Sequence, residues 1–320
     1  MRRPLPSTIT KSLTLPIIAA PMFLVSGPQL VINCCKQGIV GSFPFQNART
    51  IELLENWLEE ITSSLSQDSN SAIWAANIVV HRSYERMDQE LELVKRYKPP
   101  IVVTALGNPA RVIEAVHSYG GLVFADVNSI DYAKKAASSG VDGLVLVCAG
   151  AGGHTGLLNS FAFVEEVRTF WDGFLCLAGG MSTGSSILAC EALGVDFAYM
   201  GTKFILAEES LAPTAYKEML TEATSADIIL TDSFSGVPAN MLRQSIEKAG
   251  YDPLNLKKKD KINFEQPLDG SKAWKDIWSA GHGVGRLSDI QPVSSIIEKL
   301  KEEYDTAKNK LLNSSSSTVK

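Results

Sequence analysis

The chain has 320 residues, with 30 Lys+Arg against 35 Asp+Glu, a formal net charge of −5, and 45% hydrophobic residues. That apolar fraction supports a packed core and excludes a disordered chain, and the mild acidity excludes the clustered positive charge with which proteins grip nucleic acid. Apolar runs stay well short of the roughly 18 residues of a membrane span, and no uninterrupted apolar stretch of signal-peptide length follows Met1-Arg2-Arg3-Pro4, so a cytoplasmic protein is expected.

Eight short apolar runs recur along the chain: Pro16–Ala20, Gly38–Gly41, Ile73–Val79, Ile101–Thr104, Leu122–Ala125, Leu144–Val147, Phe174–Leu177 and Phe197–Met200. They are continuous, not alternating, as expected of parallel strands covered on both faces. Helical patterns lie between them. Asn108–His117 follows a capping Asn and Pro109, while Ser129–Ala137 and Thr183–Leu193 each start at a hydroxyl residue and end at Gly140 or Gly194. Eight such units point to an α/β (β/α)₈ TIM barrel, with a doubly wound open sheet as runner-up. After the eighth run a helix is expected over Leu211–Ala223, a short strand over Ile228–Leu230, and a further helix over Val237–Ala249. A long amphipathic helix over Leu287 to about Leu312 closes the pattern. The expected domains are a barrel over 1–206 plus 287–313, a small inserted cap over 207–286, and a disordered tail over 314–320. The run Lys257–Lys261 reads as a solvated loop.

The five cysteines, Cys34, Cys35, Cys148, Cys176 and Cys190, form no Cys-x-x-Cys pair and read as reduced core residues. No His-Glu-x-x-His or carboxylate cluster supports a metal, and no Gly-x-Ser-x-Gly elbow presents a nucleophile.

In a barrel the chemistry lies where strands end. Those positions carry Ala20-Pro21-Met22, Asn77, Gly150 to Gly156, Ala178-Gly179-Gly180 and Gly201-Thr202. Glycines ending two consecutive strands before helices suit a phosphate cradle, because the backbone comes close and helix N-termini complement the charge. The Gly-x-Gly-x-x-Gly pattern begun at Gly150 fails at Thr155, which disfavours a Rossmann-bound dinucleotide. A mononucleotide such as FMN, or a phosphorylated substrate, fits better. His154, between Gly152-Gly153 and Gly156, is the leading acid–base candidate, with the ordinary imidazole value near 6.5 suited to neutral pH. His117 reads as structural; His81 and His282 are lesser candidates.

These residues, together with Met200-Gly201-Thr202-Lys203-Phe204 and Ile277-Trp278-Ser279-Ala280-Gly281, resemble the nitronate monooxygenase family, formerly the 2-nitropropane dioxygenases. The resemblance implies an FMN-binding barrel that oxidises an alkyl nitronate or nitroalkane with O₂ to a carbonyl compound plus nitrite. By that likeness Ala20, Pro21, Met22 and Asn77 hold the flavin ring, and Gly179, Gly180, Gly201 and Thr202 hold its phosphate. Gly152, Gly153 and Ala178 line the same cofactor site. His154 faces the substrate, with Ser279 and His282 as secondary substrate contacts. Where certain members carry a Lys facing the flavin, this chain has Asp126, so no role is carried over there. Similar Gly-Gly-His barrels include flavin-dependent enoyl-acyl-carrier-protein reductases and quinone reductases, which makes an NAD(P)H-dependent FMN reductase the alternative. A phosphosugar aldolase or isomerase lacks a Lys–Glu pair here, and a catalytically idle flavin binder leaves the open histidine without purpose. An oligomer is compatible with the sequence.

Overall fold

The computed structural model describes residues 6–257 and 275–317. The expected charge pair Arg2–Arg3, the basic run beyond Lys257 and the tail beyond Ser317 lie outside the described residues. Eight parallel strands form the central sheet: β1 (Ile17–Ala19), β2 (Gly41–Pro44), β3 (Trp74–Val79), β4 (Ile101–Ala105), β5 (Leu122–Val127), β6 (Gly143–Val147), β8 (Phe174–Ala178) and β9 (Phe197–Met200); β7 (Gly153–His154) lies outside it, in the loop after β6. Each pairs with its neighbour in chain order, β1 pairs with β9 through Ile17↔Ala198, and β1 meets β2 through the bridge Ile18↔Val40. The sheet therefore closes on itself as a TIM barrel, with Ala19 N donating to Val40 O at 2.8 Å and Val40 N to Ile17 O at 3.0 Å.

Alternation along the strands separates two cores. Ile18, Val40, Ala75, Ile101, Val103, Phe124, Val145, Cys176, Phe197 and Tyr199 fill the barrel interior. The intervening residues, such as Ala76, Val102, Val123, Leu144, Leu175 and Ala198, pack outward against the helical ring. Burial on both faces is why the strands read as unbroken apolar runs. All five cysteines are free and buried among these residues, as the sequence suggests.

Helices start and stop where the sequence places caps. Ser129 Oγ accepts from Tyr132 N, and Thr183 and Ser186 form a reciprocal box at the start of helix Gly184–Ala192. The last helix, Val293–Ser317, begins after Pro292, six residues later than its apolar pattern, because a residue before proline disfavours the helical region. It packs on helix Gly184–Ala192 so closely that a Cβ at Gly184 would stand 2.1 Å from Tyr304 N. It also touches helix Pro28–Lys36, completing the ring.

Two elements differ from the sequence reading. The second strand starts at Gly41, not Gly38: Gly38 adopts φ +79° to end the preceding helix, and Gly41 lies against Val31, where a Cβ would be 2.5 Å from a carbonyl oxygen. The helix expected over Val237–Ala249 is instead a strand, β11 (Ala239–Leu242), followed by a short helix, Arg243–Lys248. Here pairing with β10 (Ile228–Thr231) and β7 outweighs local propensity. The resulting three-stranded sheet, β10-β11-β7, joins the chain after β9 to the loop after β6. Trp278, Tyr216, Leu220 and Leu242 pack beside it with Val25 of the loop after β1. Among the described residues no helix is long and apolar enough to cross a membrane.

Candidate active site

The carboxyl end of the barrel brings most of the expected residues together. Beyond β1, Ala20 N donates to Met200 O at 2.9 Å, and a Cβ at Gly201 would lie 3.5 Å from Met22 Sδ and 3.7 Å from Ala20 Cβ. Ala20, Met22 and Gly201 thus form one corner. The loop holding Pro21 and Met22 is fixed by a residue that the sequence reading passed over. Asn47, just after β2 and buried, accepts from Leu24 N at 2.9 Å and donates to Met22 O at 2.9 Å and Ser26 O at 2.7 Å. Leu24 needs that hold, since its φ of +61° is unfavourable for a branched side chain. Asn77 points inward from β3 and donates to Val103 O at 3.2 Å.

Ala178 ends β8 inside the barrel, and the chain turns through Gly179 at φ +135° and Gly180 at φ +70°. A Cβ at Gly179 would come within 2.9 Å of Ala149 O, whereas one at Gly180 would meet no atom within 4 Å. Gly180 N and His282 N both donate to Gly150 O, at 3.1 and 2.9 Å, so the loops after β6 and β8 and the turn His282–Arg286 converge on one carbonyl. Gly152 lies against that turn, where a Cβ would be 2.8 Å from Gly281 N. Gly281 N donates to the buried Thr202 Oγ1 at 2.9 Å; a hydroxyl that accepts one bond keeps its own hydrogen to donate.

At the first turn of helix Gly184–Ala192, where the sequence suggested a phosphate cradle, two N–H groups are engaged within the chain. Gly184 N donates to Glu303 Oε2 at 2.8 Å and Ser186 N to Thr183 Oγ1. Beside it lie the glycine backbone of Gly179 and Gly180, Thr202 and Ser182. Ser182 Oγ is buried and has no hydrogen-bond partner, an unpaired group that the Gly-Gly-Met-Ser run could have flagged. The inward positions at the carboxyl ends of β4 and β8 are the small Ala105 and Ala178, and with the glycine turns and the unpaired Ser182 Oγ these residues fit a flat group bearing a phosphate.

His154 sits in β7, opposite Ala239 of β11, with Gly153 at φ +68°. Asn240 Nδ2 donates to Ala151 O at 2.7 Å and Thr155 Oγ1 to Cys148 O at 2.9 Å, pinning the loop on both sides. Burial pushes the imidazole down from 6.5 to about 4. This corrects the expectation of a ring near its ordinary value: His154 is neutral at pH 7. Its ring is held at Nε2 by Ser235. Ser235 Oγ, 3.2 Å from His154 Nε2, also contacts Val237 O at 3.0 Å and so ties the ring to the turn before β11.

The secondary candidates divide. His282 is exposed beside Gly150, where a Cβ would lie 3.0 Å from its Nδ1. Ser279 offers its carbonyl to Tyr216 OH, whose ring stacks on Trp278 at 5.0 Å. His81 bonds Ser83 within a turn, and His117 pairs with Asp142 at 2.8 Å on the outside of the barrel, a structural role.

The profile of the nitronate monooxygenase family matches residues 51–303. The chain is 30% identical over 220 residues to Rv1533 of Mycobacterium tuberculosis, named as a monooxygenase, covering 64% of this chain and 59% of that protein. It is 27% identical over 220 residues to a nitronate monooxygenase of Neurospora crassa, covering 62% and 58%. These matches thus span about three-fifths of either relative. In three dimensions it superposes on nitroalkane oxidase from Streptomyces ansochromogenes with a TM-score of 0.80 at 22% identity, over 95% of this chain and 100% of that one.

Proposed function

The chain belongs to the nitronate monooxygenase family and is an oxidoreductase, and from that premise we propose that it is an FMN-dependent enzyme oxidising alkyl nitronates with O₂ to a carbonyl compound and nitrite. One observation carries the reading: the positive-φ turns at Gly150 and at Gly179-Gly180 and an unpaired buried Ser182 converge beside the loop that presents a buried His154.

In this reading the backbone of Ala20, Pro21 and Met22, with Asn77, holds the flavin ring. Gly179, Gly180, Ser182, Gly201 and Thr202 hold the phosphate, and Gly152, Gly153 and Ala178 shape the wall between. When bound, FMN supplies an electron acceptor that O₂ restores. His154 meets the substrate. Held at Nε2 by Ser235, its imidazole is the group that accepts a proton from a neutral nitroalkane. A ring depressed to about 4 is a weak base, which favours a substrate that arrives already deprotonated. An anion bound beside it would raise the imidazole's proton affinity and turn His154 into a charge partner for the nitronate.

The test is nitrite release from propyl-2-nitronate in air. Wild-type protein is expected to turn over, and His154→Asn to lose about 10²-fold in rate, the usual scale for a general acid–base group, with its flavin absorbance intact. Equal rates in the two proteins would remove His154 from the reaction.

A further inference from the structure

The inward face of the barrel changes character at its carboxyl end. Below, it is apolar: Ile101, Val103, Leu122, Phe124, Val145, Phe174 and Phe197. Above, Asn77 projects from β3, Asp126 from β5 and Tyr199 from β9; the alternation Leu122, Phe124, Asp126 sets the direction of the carboxyl. Asn77 is satisfied by Val103 O. The other two are not, for Asp126 Oδ1 and Tyr199 OH are both buried and have no hydrogen-bond partner.

Two buried polar atoms left without a partner near one another are costly, and such groups call for a ligand or another explanation. Among the described residues no counter-charge acts on the carboxyl. The flanking strands offer Val103, Ala105, Val145 and Val147. The titratable groups coupled to the carboxyl are Tyr199 and Cys176, and both are acids. Nothing there stabilises a carboxylate, and a carboxyl so placed prefers its neutral form. Burial alone pushes Asp126 up to about 7, while burial and the Asp126 charge push the Tyr199 phenol up. Asp126 as a whole residue is only partly buried although its Oδ1 is shut off.

We propose that Asp126, with Tyr199 beside it, forms the polar floor beneath the flavin ring, and that the Asp126 carboxyl must carry its proton for the ring to seat. This rests on the flavin reading above. A flat ring laid over the barrel top closes the remaining access of water to the carboxyl, so ionisation would leave an uncompensated charge under an aromatic system. The neutral acid instead offers an O–H donor to the ring, and Tyr199 offers a second. Binding above the free carboxyl's titration therefore takes up one proton, and affinity falls as pH rises.

The holoprotein is diluted in buffers from pH 7 to 9, and released flavin is read by its fluorescence, with riboflavin in parallel to remove any contribution from the phosphate, which titrates near about 6. The apparent Kd of wild-type protein is expected to rise by up to about tenfold per pH unit above 7, the limit for one linked proton. Asp126→Asn, isosteric with the neutral acid, is expected to bind with a flat profile at the wild-type low-pH affinity. Tyr199→Phe is expected to bind more weakly and keep the slope. A flat wild-type profile with flavin retained overturns the inference, whether or not the variants fold, as does a slope that persists in Asp126→Asn or vanishes in Tyr199→Phe. Protein that retains no flavin at any pH overturns the flavin reading and this inference together.

Discussion

Asn47→Ala isolates the clamp on the loop after β1. The wild-type side chain makes three hydrogen bonds, to Leu24 N, Met22 O and Ser26 O, and is buried. At about 1 kcal/mol net for each, truncation removes about 3 kcal/mol, and the left-handed Leu24, whose conformation costs about 1–2 kcal/mol, pushes the loop in the same direction. If that energy falls on the loop's closed state alone, the ratio of closed to open loop drops about 10²-fold, and the apparent flavin Kd rises by up to the same factor. Urea unfolding and flavin fluorescence on the same samples separate the two effects. A stability change below about 0.5 kcal/mol with unchanged flavin affinity would refute the clamp.

Two further substitutions probe other parts of the account. Gly180→Val should purify without yellow colour, because a branched side chain at φ +70° is strained and would project into the space a phosphate needs; full flavin content would remove Gly180 from the cradle. Glu90, buried and bonded to Tyr84 OH at 2.6 Å, is pushed by burial from 4.5 to about 7. Its raised value favours the native state fully below about pH 4, and that contribution is lost as pH rises through 7. Glu90→Gln should therefore gain on wild type between pH 5 and pH 8, by about 3 kcal/mol at most, in denaturant midpoints. An equal difference at both pH values would show that the carboxyl ionises normally.

Much of the barrel was legible because burial on both faces writes each strand as a solid apolar run, and because Ser129, Thr183 and Gly194 mark helix ends chemically. The strand at Gly41 slipped because apolar Ile39 and Val40 precede it in a turn that only the φ of Gly38 explains. β11 was hidden because Ala239 to Leu242 owes its conformation to strands distant in sequence. At the site, glycines and His154 stood out by residue type. Asn47, Ser182 and Tyr199 did not, since a polar residue's importance here depends on which way it points and on what fails to bond it. The depressed His154 illustrates the same limit: burial by β11 and its neighbours, not the local Gly-Gly-His run, sets its charge.

The central claim is that this barrel holds a flavin that takes electrons directly from a nitronate. Purified protein is mixed anaerobically with propyl-2-nitronate and, separately, with NADH, while visible absorbance is followed. Nitronate alone is expected to bleach the flavin bands, at a rate fast enough to support turnover. Bleaching by NADH alone would contradict it and make the protein an NAD(P)H-dependent reductase of quinones or enoyl thioesters, and a colourless protein would contradict the cofactor itself.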